Sequence, residues 1–276
     1  MENLKDLFDL SGRVAVITGG TGLLGQQHAE AIAGAGGIPV LADIRMSGVD
    51  PESRAWKERF GEKACVVQTD ITDPQSVKAL LAVMLEKFGK IDILINNAAN
   101  NPKMENKADV EFSRLEFFPL EQWDADLNVG LKGAFLCSQI IGSEMARRKS
   151  GVIVNVASDL AVIAPDQRLY RKPGLPENKQ PVKPVTYSVV KTGLIGLTRY
   201  LATYWAESGI RVNAISPGGV YNNQPGDFVE RLTRLIPLGR MANANEYQAA
   251  ILFLCSDASS YMTGTNLVID GGRSCW

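Results

Sequence analysis

The sequence predicts an α/β fold in which a doubly wound parallel sheet carries helices on both faces. Short β-branched apolar runs alternate with segments of helical periodicity along most of the 276 residues. The first apolar run leads into a glycine-rich turn that opens a helix. No internal repeat, low-complexity tract or linker interrupts the alternation, so we expect one domain over residues 1–276.

Seven apolar runs are predicted to be strands, because β-branched residues dominate them and turn residues bound them. They lie at 13–18, 38–43, 64–68, 91–95, 151–156, 210–215 and 266–270. Helices are expected at about 25–34, 76–87, 120–148, 189–205 and 243–255, and a polar loop at 102–119. Thr72 or Asp73 is placed to cap the second helix, with Pro74 in its first turn.

The bulk composition limits the partners that the protein would have. The net charge of −1 gives no reason to expect nucleic acid or an anionic membrane. No apolar run reaches the roughly 18 residues of a membrane span, and the N-terminus has no signal-peptide core. Four scattered cysteines predict reduced thiols and a cytoplasmic location. With a single histidine, His28, no metal site is expected.

The glycine-rich turn predicts a phosphate-binding loop. Gly20, Gly22 and Gly25 follow the first predicted strand with the spacing of a dinucleotide-binding turn. Glycines let the backbone approach a pyrophosphate closely, and the helix N-terminus offers free N–H groups and a positive dipole end. A tight turn with a purely structural role is the alternative interpretation.

Asp43 ends the second predicted strand, 18 residues past Gly25. A carboxylate at this distance is expected to bind the adenosine ribose hydroxyls, and its charge repels a 2′-phosphate. The sequence therefore favours NAD over NADP, although Arg45 lies close enough to weaken the preference. A solvated loop aspartate is the alternative.

Tyr187 and Lys191 are the residues most indicative of chemistry. They are four apart at the start of an apolar helical run, so both side chains leave one face. A free phenol has a pKa of about 10, and a nearby ammonium lowers it. The pair is suited to move a proton in an alcohol/carbonyl interconversion. Ser158 follows the fifth predicted strand, at the sheet edge where ligands bind. An ordinary amphipathic helix is the alternative.

Taken together and in order, these features resemble the short-chain dehydrogenase/reductase family over about 10–272. The matching motifs are Thr18-Gly19…Gly25, Asp43, Asp70-Ile71, Asn96-Asn97-Ala98-Ala99, Ser158, Tyr187-x-x-x-Lys191 and Pro217-Gly218. The resemblance implies a Rossmann-type sheet of seven parallel strands. It also implies an NAD(P)-dependent oxidoreductase that interconverts a secondary alcohol and a ketone.

The resemblance assigns roles to individual residues. Tyr187 would exchange the proton, Ser158 would hydrogen-bond the same substrate oxygen, and Lys191 would hold the nicotinamide ribose and lower the Tyr187 pKa. Cofactor contacts are implied for Gly19, Gly22, Leu24, Gly25, Asp43, Ile44, Asp70, Ile71, Asn97, Ala98, Ala99, Tyr187, Lys191, Pro217, Gly218 and Val220.

Two positions depart from the family pattern. Leu23 stands where most simple members have a glycine, a spacing that also resembles the extended, sugar-nucleotide-processing branch. Gly130 stands where the family has its fourth catalytic residue, an asparagine. Asn128 lies two residues earlier and would point elsewhere unless the helix is kinked. A backbone carbonyl and a water near Gly130 would then replace the missing side chain.

The segment 166–184 is interpreted as an insertion beside the active site. Tyr170 lies where a simple member has its tyrosine, yet Gly174 occupies the position of the required lysine. Four prolines exclude a regular helix, and the net charge of the segment is positive. It is either a solvated loop or a site in which Arg168 and Arg171, with Ser158 and Tyr187, bind a phosphorylated, nucleotide-linked or acidic sugar-like substrate.

Two further functions remain open at this level: an epimerase or dehydratase with no net redox change, and a non-catalytic NAD-binding protein.

The apolar residues of the helices 120–148 and 187–205 exceed what one sheet face needs. The family resemblance implies a homotetramer or homodimer that associates through these helices and the last strand, and the apolar excess agrees with that expectation.

Overall fold

Seven parallel strands form one sheet, in the order β3-β2-β1-β4-β5-β6-β7, in the part of the chain that the structure describes. This structure is a computed structural model that describes residues 3–46, 49–100 and 113–276. The strands are β1 Val14–Thr18, β2 Ile38–Asp43, β3 Cys65–Gln68, β4 Ile93–Asn96, β5 Gly151–Val156, β6 Ile210–Pro217 and β7 Asn266–Ile269. The predicted fold class is confirmed. Most of the predicted loop at 102–119 lies outside the described residues.

The strand order reverses between β1 and β4, which pair in parallel at the middle of the sheet. The carboxyl ends of these strands therefore diverge into loops on opposite sides and leave a crevice between them. The glycine-rich turn leaves β1 at this crevice, and Asn97 leaves β4 beside it.

Helices cover both faces of the sheet. They are α1 Leu23–Gly34, α2 Arg54–Phe60, α3 Pro74–Phe88, α4 Leu120–Leu127, α5 Gly133–Cys137, α6 Ser143–Arg148, α7 Val185–Tyr204, α8 Gly226–Thr233 and α9 Gln248–Cys255. The predicted helix 120–148 runs through α4, α5 and α6, which two π-helical turns join at Asn128–Lys132 and Ser138–Gly142. No helix among the described residues has the length and apolar character to cross a bilayer.

Alternate residues of the strands enter two separate cores. Ala15 and Ile17 of β1 pack with the side that carries α1 and α9. Val14 and Val16 pack with the side that carries α3 and α7. Successive side chains of a strand point to opposite faces, so a strand covered on both sides must be apolar throughout. Burial of each large apolar side chain contributes about 1.5–3 kcal/mol to the stability of the fold.

The predicted insertion 166–184 packs against the body of the protein. It contains two single 3-10 turns, Gln167–Tyr170 and Glu177–Lys179, and no α-helix, as its prolines predict. Leu169 is buried against Leu232 and Ile236 at and beyond α8. The Gln180 side chain bridges the backbone of Lys172 and Leu175. The insertion is therefore held in one conformation next to Tyr187.

Candidate active site

The glycine-rich turn folds tightly upon itself at the end of β1. A Cβ at Gly25 would lie 2.3 Å from the Gly19 carbonyl oxygen, which leaves room for glycine alone. Gly19 has a φ of +61°, in the left-handed region. A Cβ at Gly22, directly before α1, would meet only the Gly19 carbonyl oxygen, at 3.2 Å. The turn thus presents backbone and a helix N-terminus to the crevice, an arrangement that fits a dinucleotide phosphate.

The end of β4 is fastened to this turn. Thr18 Oγ1 accepts hydrogen bonds from the backbone N–H groups of Asn97 at 3.0 Å and Ala98 at 3.1 Å. The Asn97 side-chain amide donates to the carbonyl oxygens of Thr18 and Gly19. The structure therefore brings the predicted cofactor residues Asn97, Ala98 and Ala99 next to the glycine-rich turn.

Asp43 lies at the edge of the same turn, at the end of β2. Its Oδ2 accepts from the Thr21 hydroxyl at 2.7 Å and from the Thr21 N–H at 3.1 Å, and its Oδ1 accepts from the Arg45 N–H. The carboxylate is buried, whereas the neighbouring Ile44 is 57% exposed and available to cover a flat ring. A negative charge is thus fixed where the crevice leaves the turn.

The other cofactor positions lie along the carboxyl ends of their strands. Asp70 caps its own turn by accepting from the N–H and hydroxyl of Thr72. Ile71 is buried in the core against Gly133. Pro217 ends β6, and the Gly218 carbonyl accepts from the Tyr247 hydroxyl at 3.2 Å. Val220, two residues past Gly218, pairs with Ala242. Leu24 lies in the first turn of α1.

Ser158, Tyr187 and Lys191 converge beyond the end of β5. Ser158 lies within hydrogen-bonding reach of the Tyr187 phenol, which extends from the first turn of α7. Lys191 is one turn further along α7 and is 5% exposed, and its ammonium donates to the Val156 carbonyl oxygen at 2.7 Å. The Lys191 Nζ is 5.9 Å from the centre of the Tyr187 ring. The three predicted catalytic residues therefore share one site.

Burial controls the proton affinities at this site. It raises the pKa of Tyr187, an effect that the negative charge of Asp159 reinforces and a hydrogen bond from Ser158 opposes. Burial of the phenol thus opposes the lowering of the Tyr187 pKa that is expected from Lys191 and a bound nicotinamide, and that lowering stays a prediction. Burial also lowers the pKa of Lys191 to about 8, with a smaller contribution from the charge of Lys183.

A small pocket opens beside Tyr187 and Lys191. Its other lining residues are Ala99, Asn100, Asp126, Gly130, Lys183, Pro184, Thr186 and Val190. Gly130 lies in the π-helical turn Asn128–Lys132, and a Cβ there would lie 2.4 Å from Val190 Cγ1. The helix is therefore distorted at the position of the missing asparagine. Asn128 lines a separate groove, so the distortion does not bring its side chain to Tyr187.

Asp126 is a buried carboxylate in this pocket that the sequence analysis missed. Its Oδ1 accepts from the side-chain amides of Asn100 and Gln122, both at 2.7 Å, and its Oδ2 accepts from the Thr186 hydroxyl at 2.5 Å. Thr186 directly precedes Tyr187. Asp126 thus ties α4 to the first turn of α7, and no local sequence pattern indicated this contact.

The cationic residues of the insertion occupy different environments. Arg168 and Arg171 lie at the surface, where they form ion pairs with Asp166 and Glu177. Lys183 lies at the pocket, with its Nζ 3.8 Å from the centre of the Tyr187 ring. Burial lowers the pKa of Lys183 to about 8. The structure therefore places Lys183, rather than the two predicted arginines, against the phenol.

Asp159 and Arg273 form a buried ion pair behind Ser158, with 2.7 Å between Asp159 Oδ2 and an Arg273 guanidinium nitrogen. Neither residue was predicted from the sequence, because they are 114 residues apart. Among the described residues, no group of His, Cys, Asp and Glu side chains is placed to hold a metal ion.

Comparisons with known proteins agree with this geometry. A family model described as short chain dehydrogenase matches residues 13–170, and one described as Enoyl-(Acyl carrier protein) reductase matches residues 177–274. The chain is 35% identical to an NAD-dependent glycerol dehydrogenase of Listeria innocua over 96% of its own length and 95% of that protein. It is 33% identical to a D-threitol dehydrogenase of Mycolicibacterium smegmatis, over 96% and 94% of the two chains.

A solved structure of similar fold is a gluconate 5-dehydrogenase of Burkholderia cenocepacia in complex with NADP and tartrate. The TM-score is 0.84 at 27% identity, over 99% of this chain and 100% of the other. The fold and these relatives define a nucleotide-dependent oxidoreductase. The chain belongs to the short-chain dehydrogenase/reductase family, whose members use NAD(P) to interconvert a CH–OH group and a carbonyl.

Proposed function

We propose that this chain is an NAD-preferring dehydrogenase of a polyol or a sugar-derived hydroxy acid, with Ser158, Tyr187 and Lys191 as its catalytic residues. The observation that carries the proposal is their convergence at the carboxyl end of β5, where Lys191 is buried and hydrogen-bonded to Val156. This convergence supports a site in which the phenol and the serine hydroxyl contact one substrate oxygen and the ammonium lies behind the phenol.

Each of these residues has a separate task. The Tyr187 phenolate accepts the proton of the substrate alcohol, and in the reverse direction the phenol returns it to the carbonyl oxygen. Ser158 hydrogen-bonds the same oxygen and fixes its position. The Lys191 ammonium, held by the Val156 carbonyl, contributes a positive charge that favours the phenolate.

The crevice residues would hold the dinucleotide, which supplies the hydride acceptor or donor when it is bound. Gly19, Gly22 and Gly25 shape the phosphate cradle, and Asn97 keeps that cradle against β4. Asp43 supports the preference for NAD, because its charge opposes a 2′-phosphate. Relatives of both kinds exist: the glycerol dehydrogenase is NAD-dependent, and the gluconate 5-dehydrogenase structure contains NADP.

The substrate class rests on the polar lining of the pocket and on the relatives. Asn100, Asp126 and Lys183 offer donors and acceptors close to Tyr187, which suits a compound with several hydroxyl groups. The relatives are named for glycerol, D-threitol and gluconate. Contact of Arg168 and Arg171 with an anionic substrate stays a prediction. If they make it, Arg168→Ala with Arg171→Ala will raise the KM for gluconate and leave the KM for glycerol unchanged.

A substrate panel tests this function. Glycerol, D-threitol, mannitol, xylitol and gluconate are each supplied with NAD or NADP, and NADH or NADPH absorbance is followed. We expect turnover of at least one of them, with NAD preferred, and turnover lowered by roughly 10²-fold or more in Tyr187→Phe. Product formed without net NADH would indicate the epimerase or dehydratase alternative. NAD binding without turnover of any alcohol or ketone would indicate the non-catalytic alternative.

We further propose that copies of the chain associate through α4, α5 and α7. A groove on these helices is lined by Leu127, Asn128, Leu131, Lys132, Phe135, Gly196, Leu197 and Tyr200. Phe135 and Tyr200 are 45% and 63% exposed, an apolar surface that a second copy would cover. Sedimentation showing only a monomer would contradict this.

The absence of disulfides among the described cysteines supports a cytoplasmic location.

A further inference from the structure

The Ser158 hydroxyl, which acts on the Tyr187 phenol, hydrogen-bonds a buried carboxylate. The Ser158 hydroxyl donates to Asp159 Oδ1 at 2.9 Å, and its oxygen accepts from the Leu160 N–H at 3.2 Å. An ionised carboxylate accepts only, so the proton between Ser158 and Asp159 belongs to the serine. Ser158 has one proton and two neighbours that can accept it, the Asp159 carboxylate and the ionised Tyr187 phenol. Asp159 therefore controls where that proton points.

Arg273 reaches Asp159 because of the turn that follows β7. Asp270 accepts from the Gly272 N–H at 2.9 Å and from the Ser274 N–H at 2.8 Å. Gly272 has a φ of +88°, which reverses the chain there. Arg273 is thus directed back under the end of β5, where its guanidinium is 8% exposed and meets Asp159, which is 3% exposed.

Stability alone gives a weak reason for this pair. Burial of two charges costs several kcal/mol of hydration per ion, and their attraction often only offsets that cost. Removal of one partner leaves a buried charge without compensation. The pair is instead located where its charges affect the reaction, directly behind the residue that hydrogen-bonds the substrate oxygen.

We propose that Asp159 and Arg273 are positioning residues for Ser158, the buried pair orienting the serine hydroxyl and setting the net charge beside Tyr187. The inference rests on the proposed roles of Ser158 and Tyr187. Asp159 alone would raise the proton affinity of the phenol, and Arg273 moderates that effect. Hence loss of the Asp159 carboxylate and loss of the Arg273 guanidinium should shift the Tyr187 pKa in opposite directions.

Other charged or titratable groups face the phenol and must be kept constant in the test. Lys183 lies over the ring, Lys191 lies one turn along α7, and Asp126 lines the adjoining pocket. Tyr170 of the insertion interacts electrostatically with Tyr187. Asp159 also acts electrostatically on Lys183, and Asp159 and Arg273 both act on Tyr170, so each variant is compared with its own Tyr187→Phe form.

The test compares Asp159→Asn, Arg273→Met and Arg273→Lys with the parent. The Tyr187 pKa is measured by ultraviolet difference titration of each variant against the same variant with Tyr187→Phe. This measurement needs no substrate, so it remains valid if the proposed activity is absent. We expect a decrease of about one pH unit for Asp159→Asn and an increase of similar size for Arg273→Met, with Arg273→Lys close to the parent.

Arg148→Met is the matched control, because it breaks a half-buried ion pair with Asp92 away from the site. It should leave the Tyr187 pKa unchanged. With an alcohol from the panel, the acid limb of kcat/KM against pH should move in the same opposite directions. Equal shifts in Asp159→Asn and Arg273→Met, or no shift in either while circular dichroism shows a native fold, would overturn the proposal.

Discussion

The ammonium of Lys191 donates a hydrogen bond to the backbone carbonyl oxygen of Val156 at 2.7 Å. Val156 is the last residue of β5, two positions before Ser158. The strand that presents the serine therefore also fixes the lysine of α7, and the strand and the helix are joined by one buried hydrogen bond. A buried charge held in this way lowers the free energy of unfolding of the protein.

Lys191→Met should stabilise the protein at neutral pH while abolishing turnover. The folded pKa of Lys191 is about 8 against an ordinary value of 10.5, so the buried ammonium destabilises the fold fully below pH 8. That destabilisation disappears as pH rises from 8 to 10.5. The hydrogen bond lost at Val156 costs about 1 kcal/mol. We therefore expect the free energy of unfolding of Lys191→Met to exceed that of the parent by about 2 kcal/mol at pH 7.

Urea unfolding at pH 7 and pH 10 measures this difference. The gain should shrink at the higher pH, and the exposed Lys78→Met on α3 should show neither effect. A Lys191→Met protein that is less stable at pH 7, or a gain that does not depend on pH, contradicts the assignment of a desolvated ammonium.

Tyr187→Phe should lower kcat/KM by roughly 10²- to 10⁴-fold, the usual contribution of a positioned acid or base. The substitution removes one oxygen and keeps the ring beneath Lys183. Tyr204→Phe, on the same helix with its side chain mostly exposed, is the control and should retain full activity. Comparable activity of the two variants in steady-state assays would exclude Tyr187 as the proton carrier.

Gly25→Ala should weaken NADH binding by at least tenfold, about 1.4 kcal/mol. The added methyl group would lie 2.3 Å from the Gly19 carbonyl oxygen, so the turn must open. Gly34→Ala, at the other end of α1, meets nothing within 4 Å and should be neutral or add up to about 1 kcal/mol of helix stability. Fluorescence titration with NADH checks both. Unchanged binding by Gly25→Ala would show that the turn is not the phosphate site.

Asp43→Ser should reduce the preference for NAD over NADP by about tenfold or more in kcat/KM, an effect of about 1.4 kcal/mol. The substitution removes the charge that opposes a 2′-phosphate and keeps a short polar side chain near Thr21. Asp50→Asn, an exposed residue of the following loop, removes a charge without reaching the turn. If the ratio of kcat/KM with NAD to kcat/KM with NADP changes equally in both variants, the cause is a general charge effect rather than recognition by Asp43.

The strands and the common location of Ser158, Tyr187 and Lys191 could be predicted because their signals are local. Each strand is a continuous apolar run, since both faces of the sheet are covered. Tyr187 and Lys191 lie one helical turn apart, so their common face follows from the sequence alone. Ser158 and Asp43 were identified because each ends an apolar run at the edge where ligands bind.

The rest of the site depends on tertiary contacts that no local pattern encodes. Arg273 reaches Asp159 across 114 residues, and Asp126 reaches Thr186 across 60. The prolines of the insertion give it no periodicity, so the position of Lys183 over the ring could not be inferred. The burial that raises the pKa of the Tyr187 phenol also arises from packing, so the spacing of Tyr187 and Lys191 could not reveal it.

The close approach of Gly130 to Val190 has a consequence for engineering of the protein. The space that a side chain at position 130 would need is already filled by a methyl group of Val190. The two positions are therefore epistatic, and an asparagine at 130 becomes acceptable only after residue 190 has become smaller. Gly130→Asn alone would therefore displace Val190, so an asparagine can be introduced at this position only by exchanging both residues together.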